Sequence, residues 1–249
     1  MSILNEIIAN TKSKLERLKS ELKLEDIKEG LGSSNMPLNS FKNSLIDKEQ
    51  AIIAEIKKAS PSAGIITKDF DPIKKAMEYE EFGASALSIL TEEDYFQGST
   101  QYLKDVKEVT NLPILRKDFI IDTYQIYESK FIGADCILLI ASVLNDEQLR
   151  EFSDLATVLE LDYLIEVHDE KELARAEMFS NAIIGVNNRN LKTFDVDIQN
   201  SIKLKSLFSK NNIFVAESGI KNQEDINTLV KQGINVFLIG ESLMKGDFS

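Results

Sequence analysis

The chain has 249 residues, of which 43% are apolar and 28% charged, and its formal net charge is -12. This length and composition fit one large globular domain with a substantial core. So acidic a surface repels nucleic acid and anionic membranes, and we predict neither as a partner. The single cysteine excludes a disulfide framework and favours a cytoplasmic location, while the longest apolar stretch, residues 137–144, is too short to span a bilayer.

Residues 1–48 are predicted to form a helical extension, because their apolar residues recur at helical spacing. From residue 51 the pattern changes to eight short apolar segments, separated by roughly 20–35 residues as expected of βα units. These predicted strands are AIIAEI, ALSIL, PILRKDF, CILLIAS, DYLIEV, AIIGVN, IFVAESG and VFLIGES.

The segments between the strands have helical periodicity. DPIKKAMEYEEFG, DTYQIYESKFIGA and NQEDINTLVKQG each begin with Asp or Asn and contain a Gly near the end, as helix caps require. Eight alternating units predict a single α/β domain over residues 1–249, a (β/α)8 TIM barrel over 49–249 that follows the extension. An open doubly wound sheet is the alternative from the pattern alone, but no GxGxxG follows the first strand, which argues against dinucleotide binding.

Charged and amide residues recur at the carboxyl ends of these strands. Residues two apart on a strand point to the same face, so we expect these side chains to converge where barrel enzymes place catalysis. Any one of these residues could be polar simply because its strand ends at the solvent. That explanation does not account for a group in which three carboxylates are balanced by three cations. The cluster comprises Glu55, Lys57, Lys117, Glu166, Asn187, Arg189 and Glu217.

Glycine-bearing motifs suggest a second part of the site. SPSAG follows the first strand, ESGI ends the seventh and IGESLM ends the eighth. Loops after strands seven and eight of this fold commonly bind phosphate through backbone N–H groups. Each glycine alone is more simply a turn residue, but their joint placement favours a phosphate site.

Other noticeable residues have simpler explanations. Cys136 begins an apolar strand and is expected to pack in the core. His168 stands at the start of a helix, and no His/Cys cluster supports a metal site there. Lys58 and Arg116 have the opposite parity to the site residues, which predicts that they face the helix layer or the rim. We predict no metal and no cofactor.

Seven motifs together resemble the indole-3-glycerol-phosphate synthase family, and they run in order from residue 52 to 244. They are IIAEIKKASPSAG, LSILTEEDYFQGS, PILRKDFIID, LIEVHDE, IIGVNNRNLKTF, VAESGI and FLIGESLM. The resemblance implies a carboxy-lyase of tryptophan biosynthesis that needs no cofactor. Its substrate would be 1-(2-carboxyphenylamino)-1-deoxyribulose 5-phosphate, which loses CO2 and water to give indole-3-glycerol phosphate.

The resemblance also implies residue roles. Lys117 would be the general acid, Glu166 would handle a later proton, and Lys57 with Glu55 would hold the substrate carboxylate and assist dehydration. Asn187 and Glu217 would orient the hydroxyls and the aminophenyl group, with Arg189 nearby. The phosphate contacts would come from Ser60, Gly219, Gly240 and Glu241, with Ser218 beside them. The aromatic ring needs an apolar wall, for which we expect Phe96, Phe119 and Leu191.

Two other functions stay open. A phosphoribosylanthranilate isomerase-like barrel would have a cysteine near the end of its first strand, where this chain has Glu55 and Lys57. A non-catalytic barrel subunit would be expected to lose the site charges, which are all present.

The chain has little room after IGESLM for a full eighth helix. We therefore predict a truncated or missing eighth helix, with outward apolar side chains of the last and first strands left uncovered. Uncovered apolar patches invite association, so we expect a monomer of reduced stability or a weak homo-oligomer.

Overall fold

The computed structural model describes residues 3–32, 40–190 and 193–248. In this part of the chain eight parallel strands close into a barrel, each strand pairing with the next along the chain and the last with the first. They are β1 Ala51–Ile56, β2 Ala86–Leu90, β3 Ile114–Lys117, β4 Cys136–Ile140, β5 Asp162–Val167, β6 Ile183–Asn187, β7 Phe214–Glu217 and β8 Val236–Ile239. The prediction of a closed barrel is confirmed. A short antiparallel hairpin, Ala59–Ser60 with Gly64–Ile65, follows β1.

Among the described residues, three helices precede the barrel and one helix follows each barrel strand. They are α1 Ile3–Glu21, α2 Leu24–Gly32, α3 Phe41–Leu45, α4 Pro72–Glu81, α5 Thr100–Lys107, α6 Thr123–Phe131, α7 Asp146–Val158, α8 Glu170–Ala176, α9 Gln199–Leu207, α10 Gln223–Val230 and α11 Glu241–Lys245. None of the described helices has both the length and the hydropathy needed to cross a membrane.

The predicted caps determine where the helices begin and end. Before α4, the Asp71 carboxylate accepts a hydrogen bond of 3.0 Å from the backbone N–H of Lys74, which satisfies one of the free donors of the first turn. After the same helix, Gly83 has φ +88°, a left-handed conformation that glycine adopts without steric cost. Helices α6 and α10 repeat this arrangement with Asp122 and Gly133, and with Asn222 and Gly233.

Alternate strand residues divide the core into two layers. Ile53, Leu115 and Leu164 belong to the cluster that fills the barrel, whereas the other parity packs outward against the helices. Phe41 and Leu45 of α3 join the inner cluster next to the first residues of the strands. Helix α3 therefore closes the amino-terminal end of the barrel, and the carboxyl-terminal end stays open as its mouth.

The last helix is short, as predicted, but the predicted exposure of the wall beside it is wrong. Phe237 and Ile239 of β8 and Ile56 of β1 point outward, and each is at most 2% exposed. Helix α11 contacts β1, and the Phe248 ring stands edge-on to Phe82 with 6.2 Å between centroids. Because α11 and residues after it fold back over this wall, the seam between the first and last strands is buried within one chain.

Candidate active site

A cavity of about 550 Å³ opens at the mouth of the barrel. Parallel strands all end at the same rim, so residues far apart in sequence meet there. Every predicted site residue within the described ranges lines this cavity: Glu55, Lys57, Ser60, Phe96, Lys117, Phe119, Glu166, Asn187, Arg189, Glu217, Ser218, Gly219, Gly240 and Glu241. Leu191, predicted as part of the aromatic wall, lies outside the described residues.

A buried triad of charges occupies the centre of the mouth. Lys117 Nζ lies 2.5 Å from Glu217 Oε2 and 3.2 Å from Glu166 Oε2. Lys117 is the last residue of β3 and Glu217 the last of β7, while Glu166 is the penultimate residue of β5. The side chain of Glu217 is only 1% exposed. Ions so far from water persist because each has a partner of opposite charge.

The two carboxylates are not equivalent. Burial would lower the pKa of Lys117, but the negative charges of Glu217 and Glu166 outweigh it and raise that pKa. Burial would raise the pKa of Glu166, but Lys117 and His168 together lower it. Burial does raise the pKa of Glu217, because Lys117 is its one cationic contact and its Oε1 has no hydrogen-bond partner among the described residues. The lysine is therefore protonated and Glu166 is anionic.

A second ion pair lies beside this triad, where β1 ends. Lys57 Nζ is 2.5 Å from Glu55 Oε1, and Glu55 is 5% exposed. Strand β1 stops at Ile56, so Lys57 is the first residue of the loop and reaches further into the mouth than the buried carboxylate. This arrangement leaves a cation facing the cavity with a fixed partner beneath it.

Two loops beside this pair, after β7 and β8, present backbone to the cavity. Ser218 and Gly219 follow β7 with φ of +67° and +82°, so the chain turns sharply there. Gly240 precedes α11, and Glu241 is the first residue of that helix. Successive N–H groups in such turns form concavities that favour anions. Ser60, from the hairpin after β1, lines the same cavity.

The apolar side of the cavity includes two aromatic rings. Phe96 and Phe119 lie with centroids 6.1 Å apart. The loop that carries Phe96 is held by Glu92, whose Oε2 accepts hydrogen bonds from the backbone N–H groups of Tyr95 at 2.7 Å and Phe96 at 3.1 Å. An aromatic substrate ring would therefore meet preplaced aromatic faces.

Arg189 and Asn187 line the β6 side of the cavity. The Asn187 side-chain oxygen accepts a hydrogen bond of 2.9 Å from the backbone N–H of Arg189, and an Arg189 guanidinium nitrogen lies 3.9 Å from Glu241. Arg189 Nη1 donates a hydrogen bond of 3.3 Å to the backbone carbonyl of Phe194, and the long ion pair leaves Nη2 able to donate to an anionic ligand.

Sequence reasoning missed the contribution of the amino-terminal helix. Ile3, Leu4 and Ile7 of α1 line the cavity. Lys14 links this helix to the loop after β2 through two ion pairs, with its Nζ 3.1 Å from Glu93 and 2.6 Å from Asp94. Helical spacing predicts only that such residues are buried on one face. Nothing in it indicates which surface that face covers.

His168 lies at the start of a helix, as predicted, but the prediction did not extend to what its ring contacts. It lies before helix α8, which begins at Glu170, and its ring stands between two carboxylates. His168 Nε2 is 3.4 Å from Glu166 Oε1, and Nδ1 is 3.1 Å from Glu172 Oε2. The sequence did contain a signal for this contact. His168 is two residues beyond Glu166, so strand parity predicts that both side chains point to the same face.

The parity prediction for Arg116 is confirmed. Arg116 faces the helix layer and is 3% exposed, with its guanidinium 3.1 Å from Asp118 and 2.8 Å from Glu128.

Cys136 is fully buried at the start of β4, and burial raises the pKa of its thiol well above the usual value. Within the described ranges, no group of three or more His, Cys, Asp or Glu side chains is arranged to hold a metal ion.

Comparisons with known proteins agree on one family. The family description "Indole-3-glycerol phosphate synthase" matches residues 4–248. The protein of that name from Campylobacter fetus subsp. fetus is 50% identical over 244 residues, 98% of this chain and 94% of its own length. The one from Ruminiclostridium cellulolyticum is 48% identical, with the same coverage. A solved N-acetylmannosamine-6-phosphate 2-epimerase from Clostridium perfringens has a TM-score of 0.62 at 15% identity, covering 86% of this chain and 95% of its own, which shows the fold alone.

Proposed function

Because the chain belongs to the indole-3-glycerol phosphate synthase family, we propose that the charged mouth of its barrel closes an indole ring with Lys117 as the acid. The substrate is 1-(2-carboxyphenylamino)-1-deoxyribulose 5-phosphate, and the products are indole-3-glycerol phosphate, CO2 and water. The observation that carries the proposal is the Lys117 ammonium held 2.5 Å from Glu217 and 3.2 Å from Glu166 inside the cavity.

Ring closure forms a bond between the ring carbon that bears the carboxylate and the ketone carbon of the sugar chain. The ketone oxygen gains negative charge as this bond forms, and Lys117 gives it a proton, which leaves a hydroxyl group. The amine nitrogen supplies the electron pair and becomes an iminium. The nearby carboxylates of Glu217 and Glu55, which are 1% and 5% exposed, stabilise this positive charge.

Loss of CO2 returns an electron pair to the ring and restores its aromaticity. The new hydroxyl group then leaves as water, with a proton from Lys57, as the nitrogen again donates its electron pair. Glu166 accepts the proton that must leave carbon to complete the indole. Its low pKa keeps it ionised and ready for this step. Because the substrate's own nitrogen serves as electron sink, the scheme needs no added cofactor.

The two ends of the substrate are anionic, and the site offers a suitable environment for each. Lys57 and Arg189 would bind the carboxylate end, with Asn187 and Glu217 on the hydroxyls and the aminophenyl group. Backbone N–H groups at Gly219 and Gly240, with Ser60, would bind the phosphate. These local donors overcome the repulsion expected from a net charge of -12.

The alternatives have less support. The isomerase reaction would need a cysteine at the end of the first strand, but this chain has Lys57 there. Its one cysteine, Cys136, is buried at the opposite end of the barrel. A non-catalytic barrel would have no reason to keep three carboxylates paired with buried or half-buried cations. Incubating purified protein with the carboxyphenylamino substrate and recording indole fluorescence tests the proposal. Phosphoribosylanthranilate turned over instead, or no turnover of either compound, would contradict it.

We also propose that the protein acts in the cytoplasm as a monomer or weak homo-oligomer on this small anionic substrate. Burial of the seam between β8 and β1 within one chain supports this, since the uncovered apolar wall that would have driven association is absent among the described residues. Light scattering across micromolar concentrations tests it, and a concentration-independent dimer would contradict it.

A further inference from the structure

His168 is the one histidine of the chain, and the reaction scheme above does not use it. Its ring is 15% exposed and lies between Glu166 of β5 and Glu172 of α8. Nδ1 is 3.1 Å from Glu172 Oε2, and the same carboxylate oxygen accepts a hydrogen bond of 2.8 Å from the backbone N–H of His168. Glu172 therefore fixes both the position and the ring orientation of the histidine.

The other ring nitrogen faces the catalytic cluster. His168 Nε2 lies 3.4 Å from Glu166 Oε1, within ion-pair range but outside the geometry of an aligned hydrogen bond. The second oxygen of the same carboxylate, Oε2, is 3.2 Å from Lys117 Nζ. The two oxygens of Glu166 are thus assigned to two different cations, one behind the carboxylate and one in the cavity.

Glu217 has no such second cation among the described residues. It shares Lys117 with Glu166, but its Oε1 is buried without a hydrogen-bond partner. Two carboxylates compete for one ammonium, and a like charge nearby disfavours ionisation of the less supported member. The His168 cation behind Glu166 favours the ionised form of that carboxylate. Glu166 therefore stays the anion, and any proton that the two carboxylates share resides on Glu217.

We propose that His168 is a positioning residue that holds Glu166 as a carboxylate with Oε2 directed at Lys117, and that Glu172 holds the imidazole in the charged form this requires. The proposal rests on the proposed role of Glu166 as proton acceptor. His168 itself is not expected to touch the substrate, because it does not line the cavity. Its effect reaches the reaction through the charge and orientation of Glu166.

The surroundings of the ring contain the charges that the proposal needs. Burial would lower the pKa of His168, but Glu166 and Glu172 together raise it to about 10. Lys117 of β3 lies on the far side of Glu166, with its Nζ 3.2 Å from Glu166 Oε2. From α9, the Asn200 side chain donates to the backbone carbonyl of His168 at 3.2 Å, and it carries no charge.

The first test observes the imidazole directly. With a single histidine in the chain, its ring nitrogens give one unambiguous set of signals in a ¹⁵N NMR pH titration of the full-length protein. We expect both nitrogens to stay protonated at pH 8. Glu172→Gln should move the titration to lower pH. The matched control is Glu170→Gln, which removes a carboxylate from the same helix but one that pairs with Lys203 at 2.8 Å instead; its titration should match wild type.

The second test measures how kcat and KM depend on pH. In His168→Asn, we expect kcat to fall on the order of 10-fold, less than the 10²–10⁴-fold that a proton-transfer group itself supplies, with KM nearly unchanged. The acidic limb of the kcat profile should move to higher pH, because Glu166 loses a cation that lowers its pKa. Glu170→Gln should keep the wild-type profile.

An imidazole that titrates at its ordinary value of about 6.5 would overturn the proposal, as would a His168→Asn profile with an unshifted acidic limb. If His168→Asn fails to fold, the wild-type and Glu172→Gln titrations decide the question. Failure of the proposed function is distinguishable, since wild-type protein would then leave the substrate unconverted whatever the imidazole titration shows.

Discussion

Gly185 lies directly beneath the Glu217 carboxylate. A β-carbon built on Gly185 would stand 2.0 Å from Glu217 Oε1 and 2.6 Å from a methyl carbon of Leu164. Strand β6 has room only for a glycine at this position, because the neighbouring strand β7 places the Glu217 carboxylate over it. The same relationship recurs at Gly240, where a β-carbon would stand 2.3 Å from Glu55 Oε1. Two of the three carboxylates therefore occupy space that a glycine leaves empty.

Replacing Gly185 by Ala should displace Glu217 from Lys117. We expect kcat to fall on the order of 10²-fold, the loss typical of a displacement of about 1 Å in an active site, and the unfolding free energy to fall by about 1–3 kcal/mol from overpacking. Steady-state kinetics and urea unfolding measure both. Gly32→Ala is the matched control, because a β-carbon there meets nothing within 4 Å. Wild-type kcat in the Gly185→Ala protein would contradict the steric role.

Lys117→Met should remove the proposed acid of the ring-closing step. Turnover is expected to fall on the order of 10²–10⁴-fold, while the protein still binds substrate through its carboxylate and phosphate contacts. Lys117→Arg separates charge from proton donation, since a guanidinium keeps its proton at these pH values, and it should also be slow. The exposed Lys203 gives a control variant, Lys203→Met, with normal turnover. Near-normal turnover by either Lys117 variant would rule out the assigned role.

Inorganic phosphate should compete with the substrate. If backbone N–H groups at Gly219 and Gly240 bind the substrate phosphate, the free anion occupies the same place, raising apparent KM without changing kcat. Initial rates with phosphate, and with chloride at matched ionic strength, separate specific binding from screening. Phosphate that lowered kcat and left KM unchanged would place the anion site elsewhere.

Stability should also depend on pH through His168. Its pKa is about 10 in the folded protein and about 6.5 in the unfolded chain. The folded state then binds more protons between these values, so its stabilisation is complete below about pH 6.5 and is lost as the pH rises through about 10. The difference in unfolding free energy between wild type and His168→Asn should therefore shrink from pH 6 to pH 10. A difference that stayed constant over that range would contradict the raised pKa.

Features that depend on local periodicity could be predicted from the amino-acid sequence. Eight apolar segments became the eight barrel strands because a buried parallel strand needs a short continuous apolar run, and the helix boundaries followed from side-chain caps and left-handed glycines. Strand parity determined which residues face inward, so Lys117, Glu166 and Glu217 could be grouped before any distance was known. Strand parity also predicted correctly that Arg116 faces the helix layer, although its neighbour Lys117 faces the cavity.

Contacts between separate helices and strands could not be predicted from the sequence and are seen only in the folded chain. The amphipathic pattern of α1 says that Ile3 and Ile7 are buried, but only packing places them over the mouth of the barrel. The short stretch after β8 suggested an uncovered wall, yet Phe237 is fully buried. The orientation of His168 depends on Glu172 of the following helix, and the need for glycine at position 185 depends on the Glu217 carboxylate of the next strand. Each of these depends on a contact between separately formed elements, which no periodicity within one element encodes.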